Sequence, residues 1–287
     1  MKSAMLLSRP ESFLEVRVSR LDLAPTLHGL CAGYEQGRWR SKEFAQHLME
    51  WLPEFALNYS DAQAITSGNA VKLLRDAALR VYQSDKFQKR GEFGELLLHA
   101  ILRQVFDTVP AISKIYYKDS ANNTVKGFDA VHVVATKKSL ELWLGEAKFY
   151  DNFSRAVSSV VKELALHTGN DFLRKEFALL INKIDSAWPH ADRLKKLLSP
   201  NTSLDQVFDA LCVPVLLTYD SGALASHSKV TSQFSAAFSA KLEKHHTTFA
   251  AQALPKNLRI HLILVPLHTK KELVAALDKE LKIWQGR

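Results

Sequence analysis

Cysteine is scarce: Cys31 and Cys212 are the two thiols in a chain of 287 residues. Two cysteines far apart in sequence, with no C-x-x-C spacing, are too few for a disulfide framework and do not read as a zinc site. Such usage fits a reducing compartment, so a cytoplasmic location is expected. No run of 18 apolar residues occurs, and nothing in the chain is expected to span a bilayer. The opening MKSAMLLSRPESF has only a short apolar stretch before Arg9 and Pro10 and is not expected to act as a signal peptide. Repeats and low-complexity segments are missing as well. So are H-E-x-x-H, a Walker A loop, G-x-G-x-x-G and G-x-S-x-G, which removes the sequence basis for four common chemistries. Any nucleotide-driven motor would have to be another chain.

What is present is an ordinary globular ratio, 47% apolar and 24% charged residues, enough apolar surface to offset chain entropy. The net charge of +8 is unevenly placed. Residues 1–85 carry 10 basic and 10 acidic side chains, whereas residues 86–287 carry 28 and 20. A basic surface fits an acidic partner such as nucleic acid, and equally a solvated lysine surface.

The N-terminal third reads as mostly helical. Ser41 is the expected N-cap of a helix carrying Phe44, Leu48, Trp51, Leu52 and Phe55, and a second helix is expected over Asn69–Gln83. From Gly91 the pattern sharpens into a helix over Glu92–Phe106 and strands over Ile112–Lys118, Phe128–Ala135 and Leu140–Phe149. A helix over Ser154–Leu166 follows, then mostly helical sequence to about Ala210. The chain closes with a strand at Cys212–Tyr219, a helix at Ser226–Phe249, a strand at Leu258–Pro266 and a helix at Lys270–Trp284. Leu258–Pro266 is apolar at nearly every position, as a strand covered on both faces requires. The class is mixed α/β, one central sheet flanked by helices.

Candidate chemistry sits on the strand LELWLGEAKFY. Alternation puts Leu140, Leu142, Leu144, Glu146 and Lys148 on one face, so an acid and an ammonium end an apolar stripe. On the preceding strand Asp129, Val131 and Val133 share a face. A symmetric hairpin closed by Thr136–Ser139 pairs Val131 with Leu144 and Asp129 with Glu146. Directly opposed residues lie about 4.5–5.5 Å apart at Cβ, so two facing carboxylates need a proton or a cation between them. A third acid, Glu95, lies on the apolar stripe of the Glu92–Phe106 helix, whose start is thinned by Gly91 and Gly94. It is read either as the partner of a local Arg or Lys or as a metal ligand. Hard oxygen donors of this kind suit Mg²⁺, with Mn²⁺ as a substitute. Lys148 beside the ion could position or deprotonate a water, or offset charge on a scissile phosphate.

Glu95, Asp129 and Glu146-Ala147-Lys148, in helix–strand–strand–strand order, resemble the core of the PD-(D/E)xK nuclease superfamily. The longer strings GEFGELLLHAILRQVF, KGFDAVHV and LELWLGEAKFYDN are similar to the HamA family, nuclease subunits of Hachiman anti-phage defence systems. That resemblance covers roughly residues 88–155 strongly and the flanks in element order alone. It implies a restriction-endonuclease-like α-β-β-β-α-β core within residues 86–287; residues 1–85, uncharged overall and read as helical, are expected to serve packing or partner docking. It implies catalysis by Glu95, Asp129, Glu146 and Lys148, with the three acids as ligands of Mg²⁺. It further implies a DNA substrate and a HamB-like partner helicase that restrains or licenses cleavage. Phe128 stands where the superfamily signature has Pro, and the Ser154–Leu166 helix shows no Gln-x-x-x-Tyr pair. A catalytically silent nucleic-acid-binding or scaffold subunit, and a structural ion-pair network, remain as other readings of the same residues.

Other polar residues have blander readings. His132 falls on the face opposite Asp129 and is expected to be packed or partly exposed. His99, one turn beyond Glu95, is a packing residue or a hydrogen-bond partner of that acid, and His245-His246 reads as solvated surface. Lys126 and Asn122-Asn123 are expected near the mouth of the site or simply in a turn.

Overall fold

Alternating and continuous apolar stretches here build one seven-stranded sheet between two layers of helices. The structure, a computed structural model, describes residues 9–81, 91–112, 127–256 and 258–287. In chain order the sheet strands are β1 (Glu15–Arg20), β2 (Thr26–Cys31), β5 (Val109–Ile112), β6 (Ala130–Ala135), β7 (Leu140–Phe149), β8 (Leu211–Asp220) and β9 (Arg259–Leu267). A small hairpin, β3 (Tyr34–Glu35) and β4 (Arg38–Trp39), stands apart from it. The spatial order is β1-β2-β9-β8-β7-β6-β5. The central pairs β2–β9, β9–β8 and β8–β7 are parallel, and both edges are antiparallel hairpins. β8 is buried at nine successive positions, Leu211 to Tyr219, because helices cover both of its faces.

The helices are α1 (Ser41–Glu50), α2 (Leu52–Ala56), α3 (Tyr59–Gln63), α4 (Ala70–Val81) and α5 (Glu92–Val105), then α6 (Phe153–His167), α7 (Asn170–Ile181), α8 (Ala191–Leu198) and α9 (Leu204–Ala210). The last three are α10 (Gly222–Ala225), α11 (Ser232–Ala250) and α12 (Lys270–Gln285). One layer joins α5 to α1, α2, α4 and α12, while α6 and α11 lie on the other face. Among the described residues, no helix is long and apolar enough to cross a membrane.

The mixed α/β class and the flanked central sheet are as the sequence predicts, and Leu140–Phe149 matches β7 residue for residue. The N-terminal third differs. Residues 15–31 form β1 and β2, because Val16 and Val18 alternate with charged residues and β2 is buried from Leu27 to Cys31. The region expected to be a helical extension thus adds two strands to the same sheet, and its helices begin at Ser41. Ser41 is not a cap: Arg40 holds that position, and the Ser41 hydroxyl donates to Glu272 Oε1 at 2.6 Å. The helix predicted through Phe55 is two helices, since Pro53 fits only the first turn of a new one. The helix expected from Ser226 starts at Ser232, where the Thr231 side chain accepts from the Phe234 N–H. Of the strand expected at Ile112–Lys118, Ile112 ends β5 and the rest lies outside the described residues, as do Asn122, Asn123 and Lys126.

Candidate functional site

Register comes first, because it decides which acids can meet. The β6–β7 ladder runs from Ala135↔Leu140 through Val131↔Leu144 to Ala130↔Gly145, the predicted register. Thr136 and Ser139 close the turn, with the Thr136 N–H donating to the Ser139 carbonyl at 2.9 Å. Asp129 continues the pairing by one bond, its N–H donating to the Gly145 carbonyl at 2.8 Å. Its carboxylate then turns onto β7, where Oδ2 accepts the Ala147 N–H at 2.9 Å. Asp129 is therefore held at the strand end by its own side chain.

The faces of β7 are set by the helices against them. Gly94 of α5 lies so near that a Cβ there would sit 2.8 Å from Phe149 Cβ, and one on Gly145 would sit 2.8 Å from Leu98. Gly145, Ala147 and Phe149 thus face α5, and alternation turns Glu146 and Lys148 toward α6. Contacts with α6 agree. Lys148 is paired with Glu163, and Glu146 with His167, one turn further along that helix.

Glu95, Asp129 and Lys148 line one open cleft of about 480 Å³ at the C-terminal end of β7. Arg155 and Lys270 share it, with Lys270 Nζ 5.2 Å from the centre of the Phe149 ring. Glu146 is not at its surface. The side chain is 1% exposed, with Oε1 bonded to His167 Nδ1 and Oε2 at 3.9 Å from Lys148 Nζ. Of the four predicted site residues, three share the cleft and Glu146 stands behind it. Among the described residues, no three His, Cys, Asp or Glu side chains are gathered so as to hold a metal ion.

Electrostatics separate the roles. Burial lifts the Glu146 carboxyl from its ordinary value to about 7; the Asp129 charge adds to the rise, and the His167 bond only partly opposes it. For Lys148, burial works against the ammonium, but Asp129, Glu163 and Glu146 outweigh it and raise its pKa. Lys148 is thus a firm cation and poorly suited to deprotonate a water. The His167 ring is likewise penalised by burial yet raised by the Glu146 bond and neighbouring acids. Its ring stacks on Phe172, with centroids 4.5 Å apart.

Glu163 and His167 match no motif, since the pair expected on α6 is Gln and Tyr. They occupy that helix with the same four-residue spacing and supply an acid and an imidazole instead. His99 does not bond Glu95: its Nδ1 lies 3.2 Å from His132 Nε2 and its Nε2 lies 3.2 Å from Glu54 Oε2. His132 is packed rather than partly exposed, its Nδ1 2.8 Å from the Thr108 hydroxyl. His245 and His246 are buried rather than solvated. His245 stacks on Phe153 with centroids 3.6 Å apart, and His246 Nε2 lies 2.7 Å from the Pro25 carbonyl.

An α/β/α sandwich with two acids and a lysine at the open end of a sheet hairpin is the class that fold and site define. The HamA family model matches residues 9–281, and the chain belongs to the HamA family, proteins of the Hachiman anti-phage defence system. No curated protein matches the chain.

Proposed function

We propose that this HamA-family chain is a Mg²⁺-dependent deoxyribonuclease, the effector of its defence system, acting with a HamB-like partner helicase. The observation that carries the reading is the joint lining of one cleft by Glu95, Asp129 and Lys148, with Arg155 and Lys270 beside them. Two carboxylates on an open cleft fit a hard divalent ion, since Mg²⁺ takes one or two protein carboxylates and fills the rest with water and phosphate oxygens. Glu95 and Asp129 would hold it, with Mn²⁺ as a substitute. When bound, such an ion activates water and offsets charge on a phosphodiester. Glu146 would complete the set only by giving up His167.

The chain's own groups do the remainder. Lys148, kept cationic by its acidic neighbours, faces the charge that grows on the phosphate. Glu146, buried behind the cleft, exchanges a proton with His167 through Oε1. Arg155 and Lys270 bind backbone phosphates flanking the cut.

Incubating the chain, alone and with its helicase partner, with plasmid in Mg²⁺ and in EDTA tests this directly. Nicking that needs Mg²⁺ and disappears in Asp129→Ala, with an unchanged melting curve, supports it. The committed state of Glu146 favours a second reading, a silent DNA-binding subunit. That reading predicts DNA binding indifferent to Mg²⁺ and no nicking in any arm.

A further inference from the structure

At the other end of the sheet, β1 forms the edge opposite β5. Here β1, the residues after β2, the β3–β4 hairpin and residues 228–230 enclose a second pocket, of about 720 Å³. The Tyr34 hydroxyl donates to the Leu224 carbonyl at 2.8 Å and ties the hairpin to α10. Gly33, in the left-handed region at φ 71°, brings its backbone close to the centre: a Cβ there would lie 4.0 Å from both Arg17 Nη2 and Val230. Arg17, Arg40 and Lys229 line this pocket against one acid, Glu15.

The charges do not cancel. Glu15 Oε2 takes Arg17 Nη2 at 2.7 Å, which leaves Arg40 and Lys229 without a carboxylate among the described residues. Arg40 is half-buried, its guanidinium carbon 4.4 Å from the centre of the Phe13 ring. The Nε atoms of Arg17 and Arg40 are buried and have no hydrogen-bond partner among the described residues. A buried N–H donor with no acceptor is costly, and an entering oxyanion can supply one. Two uncommitted cations match a group of charge near −2. A phosphate monoester carries about −1.5 to −2 at pH 7, whereas a carboxylate or an internal phosphodiester carries only −1. The guanidinium fork also suits phosphate oxygens, and the volume suits a nucleotide-sized ligand.

We infer that this pocket binds a phosphate monoester, presented by a mononucleotide or by the phosphorylated end of a nucleic-acid strand. No residue of the pocket belongs to the cleft, so the inference stands or falls separately from the nuclease reading.

Titration calorimetry on the full chain at low salt tests it with AMP, adenosine, inorganic phosphate and one short oligonucleotide bearing either a 5′-phosphate or a 5′-hydroxyl. AMP or the phosphorylated strand is expected to bind, and whichever does so names the source. Adenosine and the 5′-hydroxyl strand are expected to bind roughly tenfold or more weakly, the worth of the charge-assisted contacts they lack. Affinity should fall as pH drops below about 6, where the monoester gains its second proton. Lys229→Glu, at an exposed position, should weaken binding by roughly ten- to a hundredfold while leaving the melting curve intact. Arg40→Lys keeps the charge but loses the fork, and is expected to weaken binding less than Lys229→Glu. Equal binding of phosphorylated and unphosphorylated probes, or Lys229→Glu binding as well as wild type, would overturn the inference.

Discussion

Two glutamates largely withdrawn from water, each beside a histidine, end up with opposite proton affinities. Glu54, on α2, is penalised by burial, but His99 and Arg103 outweigh that and lower its pKa. Arg103 is fully buried and donates from Nε to Glu54 Oε2 at 2.8 Å and from Nη1 to the Thr108 carbonyl at 2.5 Å. Glu146 has His167, but its other close neighbours are a lysine shared with Glu163 and a second acid, so burial prevails and its pKa rises to about 7. The first cluster is closed on itself and fastens α2 and α5 to β6. The second borders a cleft, and its charges are arranged around space that a ligand can enter. Burial and a histidine partner are common to both; what differs is whether the acid owns a permanent cation.

The largest test of this contrast is functional. Lys148→Ala is expected to cut DNA cleavage roughly 10²–10³-fold and to cost less stability than Arg103→Ala, because its direct partner Glu163 is partly exposed. Arg103→Ala should do the converse. Removing one partner of a buried pair costs about 3–5 kcal/mol, read by urea unfolding. If Lys148→Ala unfolds the chain and Arg103→Ala does not, the roles are reversed. Gly94→Ala is expected to cost about 1–3 kcal/mol, because the new Cβ must displace α5 from β7, and to weaken cleavage by shifting Glu95.

The smallest effect is a difference in pH slope. A lowered carboxyl such as Glu54 contributes stability that is present above its unfolded pKa and lost as pH falls through its folded one. A raised carboxyl such as Glu146 binds more protons folded than unfolded, so stability declines as pH rises from the ordinary carboxyl range to about 7. Unfolding free energies should therefore depart from wild type with opposite slopes in two different windows: Glu54→Gln below the ordinary carboxyl value, and Glu146→Gln from that value up to about 7. Parallel curves would erase the distinction.

Much of the site's geometry could be read from sequence because it is local. Apolar alternation in Val131, Val133, Leu142 and Leu144 pins the hairpin register, and the polar Thr136–Ser139 turn closes it. That places Asp129 at the end of β6 without any knowledge of the rest of the chain. The fate of Glu146 is not local. It depends on His167, brought in by the packing of α6, and the helical periodicity of α6 carries no sign of which strand residue it will meet. The same limit hides β1, a six-residue strand whose Val16 is 43% exposed, leaving a weak alternation. His245 and His246 read as surface because polarity alone cannot tell a solvated imidazole from one stacked on Phe153.

The pairing of β2 with β9 has a consequence for synthesis. Thr26 lies beside His261 and Gly29 beside Leu264, so β2 finds its parallel neighbour only after the long stretch of chain between them has been made. Long-range pairing of this kind is slow to form and leaves an unpaired edge in the meantime. A nascent chain must therefore keep β2 uncommitted, or shielded, until β9 has left the ribosome.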